Sequence, residues 1–365
     1  MTISVANIAR CLEEFAPLAF QESYDNSGLI VGDPNMEVKK CLLSLDCTPE
    51  VVQEAIDKGC NMIISHHPIV FTGLKKMTGK SYVERAVILA IKNDVALYAC
   101  HTNLDNVANG VNGKISEKLK LQGTRILHKK AHTLSKVAVY VPHESLSDVV
   151  GAMNKAGAGH IGNYDNCSFR TDGYGTYRPL EGANPRLGTI GKLEEVAEAK
   201  LELICPSHLL NPVIRAMQAA HPYEEVAYDV IGMANQWEMG SGMIGTLEEA
   251  MAPDDFLKYL KVAMDCQTIK YSPVSKKIKK VAVCGGAGSF LVKAALSLKA
   301  DAFITSDMKY HEFFDAEAGL MICDIGHFES EKFTIEIFAK VLWDKYPNFA
   351  LLFSDVNTNP IKYYS

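Results

Sequence analysis

Lys280-Val-Ala-Val-Cys284, Ser289-Phe-Leu-Val-Lys-Ala-Ala-Leu-Ser-Leu-Lys299 and Asp301-Ala-Phe-Ile-Thr-Ser306 follow one another in the chain, and their order decides the fold. A short apolar run, an amphipathic stretch of helical period and a second apolar run read as a βαβ unit, the building block of parallel sheet. The same order stands earlier. There Lys40-Cys-Leu-Leu-Ser-Leu-Asp46 is the first strand, Thr48-Pro-Glu-Val-Val-Gln-Glu-Ala-Ile-Asp-Lys58 a helix with Thr and Pro at its start, and Asn61-Met-Ile-Ile-Ser65 the second strand. The two units match almost without a gap. Each continues through a helix, about residues 83–92 and 312–318, into a further strand, Val95-Ala-Leu-Tyr-Ala-Cys100 or Gly319-Leu-Met-Ile-Cys-Asp324. The expected fold is α/β, with two pseudo-symmetric βαβ-containing halves forming one domain.

The ends of these strands carry the chemistry. His66-His67 follows Ser65, His101-Thr-Asn-Leu-Asp105 follows Cys100, Asp307 follows Ser306, and His327-Phe-Glu-Ser-Glu331 comes soon after Asp324. Open α/β sheets bind ligands at strand carboxyl ends. Imidazole and carboxylate are donors that Zn²⁺, Fe²⁺ and Mn²⁺ accept, and catalytic sites keep a position open for water. Five or six such donors exceed the needs of one tetrahedral ion, so the pattern points to two divalent ions per chain. A single histidine at a strand end is more often a hydrogen-bonded core or loop residue. Joint occurrence at equivalent ends of a repeated unit favours ligands.

Composition fits an ordinary globular enzyme. The chain has 365 residues, 48% hydrophobic and 22% charged, enough for two or three domains. A net charge of −6 gives no footprint for nucleic acid or an anionic membrane. Ile8, Leu12 and Phe15 recur at helical spacing but are interrupted by Arg10, Glu13 and Glu14, which reads as an amphipathic helix and not a signal peptide. No apolar run is long enough to span a bilayer. Ten cysteines without a C-x-x-C pair read as free buried thiols of a cytoplasmic protein.

The middle of the chain differs. Leu134-Ser-Lys-Val-Ala-Val-Tyr-Val-Pro142 reads as a strand, residues 145–156 as a helix, residues 157–191 as a long glycine-containing loop, residues 200–206 as a strand, residues 208–220 as a helix and residues 225–231 as a strand. That order is close to a ferredoxin-like split βαβ module. The expected organisation is residues 1–128 and 236–365 as the two halves of the metal-binding domain, with residues 129–235 inserted. Weaker features accompany it. Gly285-Gly-Ala-Gly-Ser289 reads as a tight helix start more than a phosphate cradle, because it lacks both a third fingerprint glycine and a P-loop lysine. Asp25-Asn26 reads equally as a self-bonded turn or a border of the metal cleft. His221-Pro-Tyr-Glu-Glu225 reads as the start of a strand with a solvated acidic pair, not a ligand cluster.

Tyr24-Asp-Asn-Ser-Gly-Leu-Ile-Val-Gly32, Ser65-His-His-Pro68, His101-Thr-Asn-Leu-Asp105, Asp307-Met-Lys-Tyr-His311 and Gly326-His-Phe-Glu-Ser-Glu331 together resemble the Nif-three-like family of dinuclear-metal proteins, the GTP cyclohydrolase I type 2 homologues. Gly159-His-Ile-Gly-Asn-Tyr-Asp165, Gly173-Tyr-Gly-Thr-Tyr-Arg-Pro179, Gly182-Ala-Asn-Pro185 and Ala220-His-Pro-Tyr-Glu-Glu225 resemble the PII-like insert of its longer members. Ser306 before Asp307 departs from the glycine expected there. The resemblance implies metal ligands His66, His67, Asp105, His327 and Glu331, with Glu331 bridging both ions, and a bound water whose pKa falls from about 15.7 to roughly 7. His101 and His311 are then candidates for moving a proton or contacting substrate. It also implies a homohexamer in which the inserts associate as trimers and cap a central cavity. The first functional expectation is a metal-dependent hydrolase acting on a small-molecule substrate such as a nucleotide or phosphoester. No guanine-reading phrase supports GTP independently. The alternative is a non-catalytic metal-binding or regulatory scaffold whose insert binds an effector or partner.

Overall fold

Cys41–Ser44, Met62–Ser65 and Ala96–Ala99 lie side by side as parallel strands, with Leu43 beside Ile64 and Ile64 beside Tyr98. All their residues are buried, as expected of strands covered on both faces. Gly28–Val31 adds antiparallel to Ala96–Ala99, and Leu351–Phe353 adds parallel to Cys41–Ser44, completing a five-stranded sheet. A second parallel triplet is formed by Ile278–Ala287, Ala302–Ser306 and Met321–Asp324. Lys270–Tyr271 extends it antiparallel on one edge, and Gly240–Met251 followed by Gln122–Lys129 extends it on the other, giving six strands. These sheets belong to one of two compact units, built from Met1–Lys129 with Glu238–Ser365. The computed structural model describes residues 2–317 and 319–364.

Alternating side chains assign each strand's two faces. Leu42, Ile63 and Leu97 pack against Val51, Val52 and Ala55 of helix Pro49–Asp57 and Ala86, Val87 and Ala90 of helix Tyr82–Lys92. Helix Pro49–Asp57 begins where Thr48 Oγ1 accepts the N–H of Val51 at 3.4 Å, with proline at its first position. On the second sheet Ala282, Phe303 and Ile322 pack against helix Val292–Ser297. The opposite faces, Leu43, Ile64 and Tyr98 from one sheet and Val281, Ile304 and Cys323 from the other, share one apolar cluster with Ile8, Leu12, Ile115, Phe256, Phe338 and Leu342. Those six residues come from helices Val5–Phe15, Val111–Lys118, Pro253–Ala263 and Thr334–Lys345. A shared helical layer therefore fixes the two triplets relative to each other. Truncating Phe338, fully buried there, should lower stability by about 3–5 kcal/mol.

Two helices differ from expectation. The one beginning at Ser289 opens as a 3₁₀ turn, Ser289–Leu291, and no side chain caps it before Val292–Ser297. The one expected over residues 312–318 is a 3₁₀ helix, Tyr310–Ala316, and residue 318 lies outside the described residues. Among the described residues no helix is long and apolar enough to cross a membrane. All ten cysteines are free, and all but Cys167 are buried.

The second unit, Lys130–Trp237, runs strand Leu134–Pro142, helix Leu146–Lys155, strands Phe169–Tyr177 and Glu194–Pro206, helix Leu210–Ala220 and strand Tyr228–Gly232. Its antiparallel sheet has Leu134–Pro142 at the centre, between Glu194–Pro206 and Tyr228–Gly232, with Phe169–Tyr177 on the far edge of Glu194–Pro206. Both helices pack on one face, over Val137, Val139, Leu201 and Leu203. The loop expected over residues 157–191 thus contains a nine-residue strand. Its residues are mostly exposed, so no apolar alternation marks them, and backbone pairing to Glu194–Pro206 holds them in place. The expected strand over residues 225–231 begins only at Tyr228.

Candidate metal centre

Both parallel triplets end at the same cluster. His66 and His67 follow strand Met62–Ser65. His101 caps the short helix Thr102–Asp105, and His327 and Glu331 open and close helix His327–Glu331. Gly326 turns the chain into that helix with φ +94°, a conformation open to glycine. Asp307, just after Ser306, has φ +57°, which Asp tolerates better than most residues.

Four imidazoles are tied down through Nδ1. His66 Nδ1 donates to the Cys100 carbonyl at 2.8 Å. His67 Nδ1 donates to Asp46 Oδ1 at 2.7 Å, His101 Nδ1 to Asp25 Oδ1 at 2.7 Å and His327 Nδ1 to Asp307 Oδ2 at 2.6 Å. These oxygens act as acceptors, so Nδ1 carries a proton and Nε2 is the nitrogen a cation would take, the arrangement found in metal-ligating histidines. The rings converge, with centroids 5.0 Å apart for His66 and His67, 5.2 Å for His66 and His101, and 5.2 Å for His67 and His327. Nε2 of His67 and of His327 lie 3.3 Å apart, at 2.9 and 3.0 Å from Glu331 Oε2. His66 Nε2 faces the other carboxylate oxygen, Oε1, at 3.8 Å, and Asp105 Oδ1 at 3.6 Å.

These donors fit a bound cation. His66 Nε2 and Asp105 Oδ1 are both buried without a hydrogen-bond partner, as metal ligands are until a cation accepts their lone pairs. Burial holds the His66 pKa below its usual value, which favours the neutral ligand form. Burial and then the Glu331 charge push the Asp105 carboxyl well above the carboxylate range. Burial also opposes ionisation of Glu331, but His327 and His66 draw it well below that range. For His67, burial is outweighed by Asp46 and Glu331, which raise it to about 9. Three donor groups, His66 with His67 and His101, His67 with His327 and Glu331, and His66 with Asp105 and Glu331, each have their ligand atoms within 4.8 Å of one another and could hold a metal ion.

Backbone clearance keeps Glu331 in place. The N–H groups of Gly285 and Gly286 donate to Asn112 Oδ1 at 2.9 Å and Ser330 Oγ at 3.0 Å, so these two donors are spent on packing. A Cβ on Gly286 would stand 2.4 Å from Glu331 Oε1, and one on Gly285 would meet Val111 Cγ1 at 2.6 Å.

The model of the Duf34/NIF3 (NGG1p interacting factor 3) family matches residues 3–360. The chain belongs to this family. It is 36% identical over 370 aligned positions to the GTP cyclohydrolase 1 type 2 homolog of Bacillus subtilis, covering 99% of both chains. It is 38% identical over 364 positions to the protein of the same name from Halalkalibacterium halodurans, covering 98% of both. Among solved structures, the Bacillus cereus protein related to NIF3 matches with a TM-score of 0.85 and 38% identity, covering 100% of both chains.

Six of the seven residues singled out in the sequence, His66, His67, His101, Asp105, His327 and Glu331, meet in this NIF3-family cluster. His311 is not brought into it. It is exposed on the 3₁₀ helix Tyr310–Ala316, where its ring contacts Tyr310 and Phe314. Asp25 fulfils both of its readings, accepting the Asn26 N–H at 2.7 Å while orienting His101. Asp46 and Asp307 escaped the sequence reading as orienting groups, although each stands just past a parallel strand. The stretch His221–Glu225 is not the start of a strand. His221 is buried, and its Nε2 donates to the Tyr140 carbonyl at 3.0 Å.

Proposed function

We propose that this protein holds two divalent ions, drawn from Zn²⁺, Fe²⁺ and Mn²⁺, and hydrolyses a small nucleotide or phosphoester. The observation that carries the reading is the division of Glu331. Its Oε2 lies with His67 and His327 and its Oε1 faces His66 and Asp105, so one carboxylate belongs to two donor sets. His66, Asp105 and Oε1 would hold one ion, and His67, His327 and Oε2 the other. When bound, such a pair polarises a substrate oxygen and lowers the pKa of water. His101, oriented by Asp25 and not needed by either set, would accept and return a proton through Nε2. Asp46 and Asp307 hold His67 and His327 in the ligand tautomer.

The wider assignments belong to the same proposal. Residues 1–128 and 236–365 form pseudo-symmetric halves of the metal-binding domain, supported by the two parallel triplets with donors at their ends. Residues 129–235 form a ferredoxin-like, PII-like insert, supported by the βαββαβ order and by the place of Leu134–Pro142 in the centre of its sheet. A homohexamer is the expected assembly, since closed homo-oligomers are common. The name carried by its relatives makes GTP the first substrate to try. Metal-loaded protein is incubated with GTP, other nucleotides and phosphoesters, beside Glu331→Ala. Turnover of a substrate that disappears in the variant supports the reading. No turnover by protein carrying a full metal complement overturns hydrolysis.

A further inference from the structure

The sheet of the Lys130–Trp237 unit is covered by helices on one face, and its other face borders a cavity of about 1300 Å³. Along Glu194–Pro206, Ala199, Leu201, Leu203 and Cys205 turn to the helices, so Glu198, Lys200 and Glu202 alternate onto the cavity side. Glu202 has cations near it, Lys200 at 3.6 Å and Lys136 at 3.7 Å. Glu198 does not. It is only 8% exposed, and among the described residues no lysine, arginine or histidine forms an ion pair with it.

The surroundings are arranged around that carboxylate. A Cβ on Gly175 would lie 2.3 Å from Glu198 Oε2, so glycine on the neighbouring strand makes its space. Burial and then the neighbouring Glu198 carboxylate hold the Tyr223 hydroxyl protonated, and that buried hydroxyl has no partner at close hydrogen-bond distance. Tyr223 is fixed from behind, its N–H donating to His221 Nδ1 at 3.1 Å and its ring meeting Tyr177 at 6.1 Å. Tyr140, Tyr174, Tyr177 and Tyr223 all line the cavity, and six acidic side chains on its wall face three basic ones.

A carboxylate taken out of water is retained where a cation completes it. An anion is opposed by the acidic wall. A divalent metal needs several oxygen or nitrogen donors around one point, and none of the donor groups close enough to hold a metal among the described residues includes Glu198. Tyrosine faces attract organic cations. We propose that this cavity binds a small organic cation bearing N–H donors, an alkylammonium or guanidinium, with Glu198 as counter-ion, the Tyr223 oxygen as a second acceptor and tyrosine rings at its flanks.

The test is isothermal titration of the full-length, metal-loaded protein with spermidine and with agmatine, beside tetramethylammonium and citrate. Spermidine or agmatine is expected to bind, with tetramethylammonium at least about tenfold weaker because it lacks N–H donors, and citrate silent. Glu198→Gln keeps the shape and should weaken binding at least about tenfold, and Tyr223→Phe should weaken it severalfold. Circular dichroism and metal content report whether each variant is folded, and Tyr223→Phe with the cation series carries the test if Glu198→Gln is not. The proposal is overturned if neither amine binds at about 10 mM, if tetramethylammonium binds as well, or if a folded Glu198→Gln variant binds unchanged. It is also overturned if Glu198→Gln changes the mass in light scattering while no amine binds, since the carboxylate would then serve assembly.

Discussion

Replacing Gly286 by alanine should damage the metal centre without touching a ligand. The added Cβ would stand 2.4 Å from Glu331 Oε1 and 3.5 Å from His327 Cε1, so with ordinary contact beginning near 3.4 Å the carboxylate oxygen must retreat by about 1 Å. The backbone has little freedom to yield instead, because Gly286 N–H donates to Ser330 Oγ and its carbonyl accepts from Thr305 Oγ1 at 3.1 Å. Oε1 is the oxygen facing His66 and Asp105, so one donor set should suffer more than the other. Disturbing groups that hold a metal ligand typically lowers affinity about 10–100-fold. The left-handed φ of +65° adds about 1–2 kcal/mol of strain for an L-residue, a loss of roughly 2–8 °C in Tm for a unit of this size. Gly123→Ala separates the two effects. Gly123 has φ +58° with nothing within 4 Å of its Cβ position, so it should show the Tm loss alone. The assays are competition with a chelating dye for affinity and differential scanning fluorimetry for Tm. Wild-type affinity for both ions in folded Gly286→Ala would refute the account of how Glu331 is positioned.

Glu331→Ala, which removes a donor from both sets, should lower elemental metal content from about two divalent ions per chain to well below one, and one ion or none in replete wild type would end the dinuclear proposal. Asp46→Asn should leave the fold intact yet weaken metal binding about 10–100-fold, because the His67 tautomer loses its carboxylate partner; unchanged affinity in the dye assay would show that the contact is incidental. Chelation should lower Tm by about 5–10 °C relative to protein holding metal at a hundred times its Kd, from about 2.7 kcal/mol of binding linkage, and an unmoved melting curve would contradict it. Deleting residues 129–235 behind a short linker should leave a soluble protein that still binds metal, and an insoluble or metal-free product would show that those boundaries cut through a core.

Much of the cluster was legible because its candidate donors lie at or soon after the ends of buried apolar strands. Met62-Ile-Ile-Ser65 and Ala302-Phe-Ile-Thr-Ser306 are fully buried, so their residue types announce them, and the residues just beyond each strand must lie at a sheet end. Strands that are short or mostly exposed were not legible. Phe169–Tyr177 is mostly exposed and carries Asp172, Gly173 and Gly175, while Leu351–Phe353 is three residues long. His311 lies apart from the cluster although its motif stands beside a strand end. It shares the motif Asp307-Met-Lys-Tyr-His311, but the chain turns at Asp307 and carries the following 3₁₀ helix to the surface. The orienting carboxylates depend on contacts between distant segments, such as Asp25 to His101, which local spacing does not encode.

Strand Leu351–Phe353 closes the first sheet against Cys41–Ser44. Just beyond it Thr358 donates to the Asp46 that steadies His67, and Asn359 Nδ2 donates to Glu329 at 3.1 Å. During synthesis, at about 5–20 residues per second, roughly 10–50 s pass between emergence of the His101 segment and of that last strand. For most of that interval His66 and His67 lack Glu331, and throughout it they lack the support of Thr358. Glu331 follows His67 by 264 residues, so the proposed donor set is complete only once Glu331 has emerged. A chain stopped by a nonsense codon just ahead of His327 would carry three of the five proposed donors, His66, His67 and Asp105, and would leave the edge of Cys41–Ser44 unpaired.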